Sequence, residues 1–138
     1  MAYKSLFLDS DVILDMLLSR EPFSAYTQLL LAESINKNYK LNTSPLIIAN
    51  INYILSKKMS SSAARENIKT IVNLIYVLSF DGDIIELALN STFTDFEDSI
   101  QYYIAERYKC DVIITRNIKD YKQSLIPVLT PEQFLRTL

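Results

Sequence analysis

The sequence has no histidine, one glycine and one cysteine in 138 residues, and each shortage removes chemistry. Without histidine the chain cannot run Ser-His-Asp or Cys-His catalysis, cannot build a histidine zinc site, and has no side chain that titrates near neutrality unperturbed. The lone glycine, Gly82, cannot supply a phosphate-cradling P-loop or a dinucleotide fingerprint, both of which need several. Cys110 has no partner for an internal disulfide or a cysteine-rich zinc site. Beside the strand-like "DVIIT" it reads as a small buried apolar residue. No apolar run approaches the roughly 20 residues of a membrane span, and the amino terminus lacks the basic start and apolar run of a secretory signal. These features predict a cytoplasmic protein without a membrane partner. The chemistry left to the chain is that of carboxylates, hydroxyls and a divalent cation.

What is present is one domain's worth of core. With 49% hydrophobic and 22% charged residues, the composition predicts a single globular domain over residues 1–138. Five short strands are predicted at 4–9, 40–44, 75–80, 111–115 and 126–129, several apolar on both faces as in a covered parallel sheet. Helical patterns fall between them: "PFSAYTQLLLAESINK", "LIIANINYILSKK" after an N-cap Ser44 and Pro45, "SSSAARENIKTIVNLI", "DGDIIELALNS", a long helix from about Asp95 to about Lys109, and "PEQFLRTL". The alternation predicts a three-layer α/β/α domain around a central, mainly parallel sheet. Ligands in such folds collect at the carboxyl ends of the strands.

Several polar residues fall at those ends. The stretch "FLDSDVILD" sets Asp9, Asp11 and Asp15 against an apolar strand, and Asp9 is either a nucleophile toward phosphate or a metal ligand. Thr43, Ser44 and "TRNIKDY" from Thr115 also follow strands. On the long helix, Asp95 and Asp98 are three residues apart and share a face, while Glu97 lies about 100° round from Asp98. Asp81 to Asp98 holds six acidic residues and no Lys or Arg, whereas Arg107 to Lys122 holds five basic and two acidic ones. A net charge of −2 and a pI near 5.1 conceal this polarity. Clustered carboxylates repel unless they take up protons or a cation, and an all-oxygen donor set favours Mg²⁺ or Mn²⁺.

Nearly the whole chain resembles the PIN domains, metal-dependent ribonucleases that include the VapC-type toxins of toxin-antitoxin pairs. The resemblance is carried by "LDSDVILDMLLSR", "SPLIIANINYILSK", "TDFEDSIQYYIAERYKCDVIITRNIKDY" and "LTPEQFL", in that order and spacing. It implies hydrolysis of RNA phosphodiesters with Mg²⁺ (or Mn²⁺), with one or two ions roughly 4 Å apart if two. It makes Asp9 and Asp98 metal ligands with Asp95 and Asp120 in support, and places Asn117 and Thr115 in the catalytic site. Arg116, Lys119 and Lys122 become candidate RNA contacts, extended by Lys57 and Lys58. The resemblance also implies an antitoxin partner and a homodimer. Two positions depart from the family pattern. Asn50 stands where a glutamate is usual, and Asn117 where many members have aspartate, so the site has fewer charges with which to hold a cation. Asp11 stands where asparagine is common, which suggests a capping or orienting role, and Ser10 is a further hydroxyl near the site.

Two other readings follow from the same residues. Asp9 and Asp11 also resemble the Asp-x-Asp motif of haloacid-dehalogenase-type phosphatases, although Ile13 replaces the usual threonine and no lysine stands in the expected place. A PIN-like binding module without catalysis is the other, supported by Asn50 and Asn117. Asp15 and Arg20, near the end of the first helix, read as solvated residues. Tyr53, Tyr76, Tyr102 and Tyr103 lie in apolar segments and read as core or interface residues.

Overall fold

The computed structural model describes residues 3–138. Strand β1 (Ser5–Leu8) is followed by α1 (Ser10–Leu17), α2 (Phe23–Lys37), β2 (Lys40–Thr43), α3 (Pro45–Lys58), α4 (Ser61–Leu74), β3 (Tyr76–Val77), α5 (Gly82–Leu89), α6 (Phe96–Arg107) and β4 (Val112–Ile114). A 3₁₀ turn (Ile118–Tyr121), β5 (Val128–Leu129) and α7 (Pro131–Leu135) complete the chain. The strands form one sheet in the order β3-β2-β1-β4-β5, and every pairing is parallel. Leu6, Phe7 and Leu8 of β1, and Val112, Ile113 and Ile114 of β4, are all fully buried, so helices cover both faces of the central strands.

Local sequence explains where helices begin. Ser44 Oγ accepts from Ile47 N at 3.1 Å, and Pro45 occupies the first helical position of α3, where a missing N–H costs nothing. Thr130 and Gln133 form a reciprocal capping box ahead of Pro131. Asp95 caps α6 instead of lying within it, and Lys109, at φ 58°, ends the turn that leads into β4. Ser44 Oγ also donates to Gln101 Oε1 at 2.6 Å, which ties the start of α3 to α6 in the interior.

The outer strands are shorter than their apolar runs predict. Only Tyr76 and Val77 of the expected 75–80 strand pair, opposite Asn42 and Thr43, and both are exposed. An edge strand has a neighbour on one side only, and this one is not covered on its faces. Apolar composition there does not translate into ladder length. At the other edge, β5 keeps two residues of the expected four.

Candidate active site

Asp9 is the first residue beyond β1, and its N–H still donates to Ile114 O at 3.0 Å, continuing the pairing with β4. Its carboxylate is held from three directions. Oδ1 accepts from Ser10 N at 2.8 Å, which caps α1. Oδ2 accepts from Thr115 Oγ1 at 3.0 Å and Tyr121 Oη at 3.2 Å. Only 8% of the residue is exposed. Burial raises its pKa, opposed by these hydrogen bonds and reinforced by Asp120.

Asp11 binds the tip of β4. Its Oδ2 accepts from Arg116 N and Asn117 Nδ2, each at 3.1 Å, whereas Oδ1 is buried without a hydrogen-bond partner among the described residues. Burial and the neighbouring Asp9 push its carboxyl up to about 6.

The second acidic wall comes from α6. Asp98 is half-buried, and its carboxyl is pushed up to about 7 by burial first, then by Asp9, Asp95, Asp120 and Glu97. Asp95, Asp98, Lys119, Asp120 and Lys122 line one open cavity of about 440 Å³. Acids and lysines from two separate stretches of sequence therefore meet. Asp95 Oδ1 also accepts from Asp98 N at 2.9 Å, so its carboxylate caps α6 as well as facing the cavity. Glu97 is outside the cavity lining and turns to α3, where Asn50 Nδ2 donates to Glu97 Oε2 at 3.3 Å. Among the described residues no ion pair involves Asp9, Asp95, Glu97, Asp98 or Asp120. Nor do three of these carboxylates converge tightly enough to grip an ion as they stand.

Several residues depart from the sequence reading. Asp15 is not solvated: it is fully buried, and its carboxylate accepts from Arg116 Nε at 2.6 Å, Arg116 Nη2 at 3.0 Å and Arg20 Nε at 2.9 Å. The reason is Arg116, which arrives from β4 and brings a counter-charge that the local sequence of α1 does not show. Arg116 is thus fixed in the fold, with its guanidinium 4.1 Å over the Phe23 ring, while Lys119 and Lys122 remain exposed beside the acids. Tyr53 and Tyr76 are 62% and 60% exposed, unlike the buried Tyr102. Lys57 lies 4.3 Å over the Tyr53 ring. Cys110 is buried, as its setting predicts. Tyr121, a hydrogen-bond donor to Asp9, is a residue of the candidate site that the sequence does not single out. Its one available signal is its place immediately after Asp120, at the end of "TRNIKDY".

A family model described as a PIN domain matches residues 5–119. "Ribonuclease VapC1" of Aquifex aeolicus (strain VF5) is 30% identical over 136 residues, spanning 95% of this chain and 93% of that protein. The chain belongs to the PIN-domain family. The fold is shared with VapBC-1 from nontypeable Haemophilus influenzae, with TM-score 0.70 and 15% identity over 93% of this chain and 98% of that one. It is also shared with a toxin-antitoxin complex from Klebsiella pneumoniae, with TM-score 0.68 and 18% identity over 91% and 97%.

Proposed function

We propose that this chain is a Mg²⁺- or Mn²⁺-dependent ribonuclease that hydrolyses RNA phosphodiester bonds in the cytoplasm as the toxin of a toxin-antitoxin pair. One observation carries the reading: Asp95, Asp98 and Asp120 line one cavity, Asp9 adds to the effect of burial in raising the Asp98 carboxyl, and none of the four has an ion-pair partner among the described residues. A fold keeps such repulsion where a cation relieves it. The residues fit a hard divalent ion in donor type, all of them oxygen. The carboxylates stand apart as like charges do, and Asp98 and Asp120 are open enough to turn toward a cation. Asp9 and Asp98, supported by Asp95 and Asp120, would hold it, and Asn117 contributes through Asp11. When bound, the ion lowers the pKa of water and neutralises charge on the phosphate.

The chain's own groups do the rest. Thr115 and Tyr121 hold Asp9 Oδ2 in one orientation, so the ligand is set before any ion arrives. Asp11 anchors the Thr115–Asn117 loop. Lys119 and Lys122 attract the RNA backbone into the cavity and offset the carboxylates' repulsion of phosphate. The similarity to a named ribonuclease supports RNA as the substrate, and the toxin-antitoxin neighbours support an antitoxin partner. A homodimer follows from the family pattern and is tested by the mass of the protein in solution.

Metal binding is the first experiment, by calorimetry and thermal shift on the wild type and on Asp98→Asn, because a sequence-selective ribonuclease is silent on the wrong RNA. Saturation at a hundredfold above Kd stabilises the fold by about 2.7 kcal/mol. The wild type should show this and the variant should not. No response from either at millimolar metal would leave a PIN-domain binding module, in which Asn50 has traded a ligand for a hydrogen bond to Glu97.

A further inference from the structure

A second cleft of about 260 Å³, separate from the acidic cavity in its lining, is formed by Phe23, Tyr26, Arg116, Thr130, Pro131 and Glu132. It is built at the same carboxyl edge of the sheet, from the start of α2, the end of β4 and the start of α7. Thr115 and Arg116 are consecutive. Thr115 Oγ1 donates to Asp9, while Arg116 lines the cleft, so the two sites are one residue apart along the backbone.

We propose that this cleft is a nucleobase subsite selective for guanine, next to the position of the scissile phosphate; the proposal rests on the ribonuclease reading above. The cleft has flat walls in the Tyr26 ring and in the Phe23 ring, one face of which Arg116 already covers at 4.1 Å. Single-stranded RNA is read by stacking on such aromatic and guanidinium planes. The guanidinium is immobilised before any ligand enters, because the fully buried Asp15 takes two of its N–H groups. Its remaining N–H groups are left for a ligand, and guanine O6 and N7 are acceptors that suit them.

Glu132 supplies the discrimination. Its carboxylate, half-exposed and paired among the described residues only with the exposed Arg136, is an acceptor that can receive two parallel N–H bonds. Guanine alone among the four standard bases offers two adjacent donors on its Watson–Crick edge, N1–H and the exocyclic amine. Uracil would set two carbonyl oxygens beside that carboxylate, and adenine and cytosine an unprotonated ring nitrogen. An RNA strand crossing the β4 tip would place its phosphate at the acids and a flanking base in the cleft.

The test is fluorescence anisotropy with labelled single-stranded RNA heptamers, uridine throughout except for a central G, A or C, and an all-uridine control. Asp98→Asn is used with a chelator, so nothing is cut. The guanine heptamer should bind about tenfold tighter than the others, the size of one good bidentate contact. Glu132→Gln should reduce that preference to near unity, and Tyr26→Ala should weaken guanine binding several-fold. Both substitutions are at incompletely buried positions, and thermal melts confirm folding. Affinities equal within twofold across the heptamers, or a guanine preference unchanged in both variants, overturn the proposal. Because this assay contains neither metal nor cleavage, its failure is separable from failure of the ribonuclease reading, which the metal titration decides.

Discussion

Asp15 shows how one residue can carry more than its neighbourhood suggests. It sits in α1 among "ILDMLLSR", where a carboxylate near the helix end looks ready for solvent, yet it is fully buried between two arginines. Removing one partner of a buried pair costs about 3–5 kcal/mol. Asp15→Ala should fall near the lower limit, about 3 kcal/mol, because Arg20 and Arg116 are partly exposed and can turn to water. Urea unfolding measures this, and a loss below about 1 kcal/mol would show that the cluster is not structural. The same variant frees the Arg116 guanidinium and should blunt guanine selectivity. Neither Asp15's burial nor Tyr121's hydrogen bond to Asp9 is legible locally, since the deciding partners are 101 and 112 residues distant. Asp9, Asp98 and Asp120 were legible as candidates because unpaired acids at strand ends and on one helix face stand out against apolar surroundings.

Among the elements, the central ones were legible and the edges were not. The buried runs of β1 and β4 identify themselves because covered strands must be apolar on both faces, whereas β2 buries Asn42 and Thr43, whose side chains hydrogen-bond to Leu6 O and Leu8 O of β1; the Ser44-Pro45 and Thr130-Pro131 pairs announce helix starts through capping chemistry. At β3 the residues "IYVLSF" are as apolar as a core strand, and only the number of neighbours distinguishes the two. Ser44 also joins elements. Its hydroxyl caps α3 and donates to the buried Gln101 on α6, one turn beyond Asp98. Ser44→Ala should remove a cap worth about 1 kcal/mol and leave Gln101 Oε1 without its donor, at about 1–3 kcal/mol. A combined loss of about 2–4 kcal/mol is expected in chemical denaturation. It should be accompanied by weaker Mg²⁺ binding as α6 loosens; unchanged stability would show that water replaces both bonds.

For the whole molecule, concentrated negative charge makes stability depend on pH in an unusual direction. Asp98 and Asp11 have carboxyls raised to about 7 and about 6, and Asp9 is raised as well. The folded chain therefore keeps protons that the unfolded chain has released. The stability these groups contribute is fully present below about pH 4 and is lost as pH rises through 6 and 7. With chelator present, the melting temperature of the wild type should decline between pH 5 and 8 relative to Asp98→Asn, which lacks the carboxyl raised to about 7. Parallel curves for the two proteins would refute this. Added Mg²⁺ or Mn²⁺ should restore the wild type most at the alkaline end, where the carboxylates are charged and ready to bind.

The sheet order has a consequence for how the protein comes into being. β1 lies in the middle of the sheet but is made first, and its neighbour β4 is made more than 100 residues later. The two hydroxyls that hold Asp9 Oδ2 come later still, from Thr115 and Tyr121. A chain leaving the ribosome therefore carries Asp9, the first acid of the proposed site, through more than 100 further residues without the partners that orient it. The proposed centre is completed only when residues 115–121 have emerged, and a cell making this protein has that interval in which to meet it with an inhibitor.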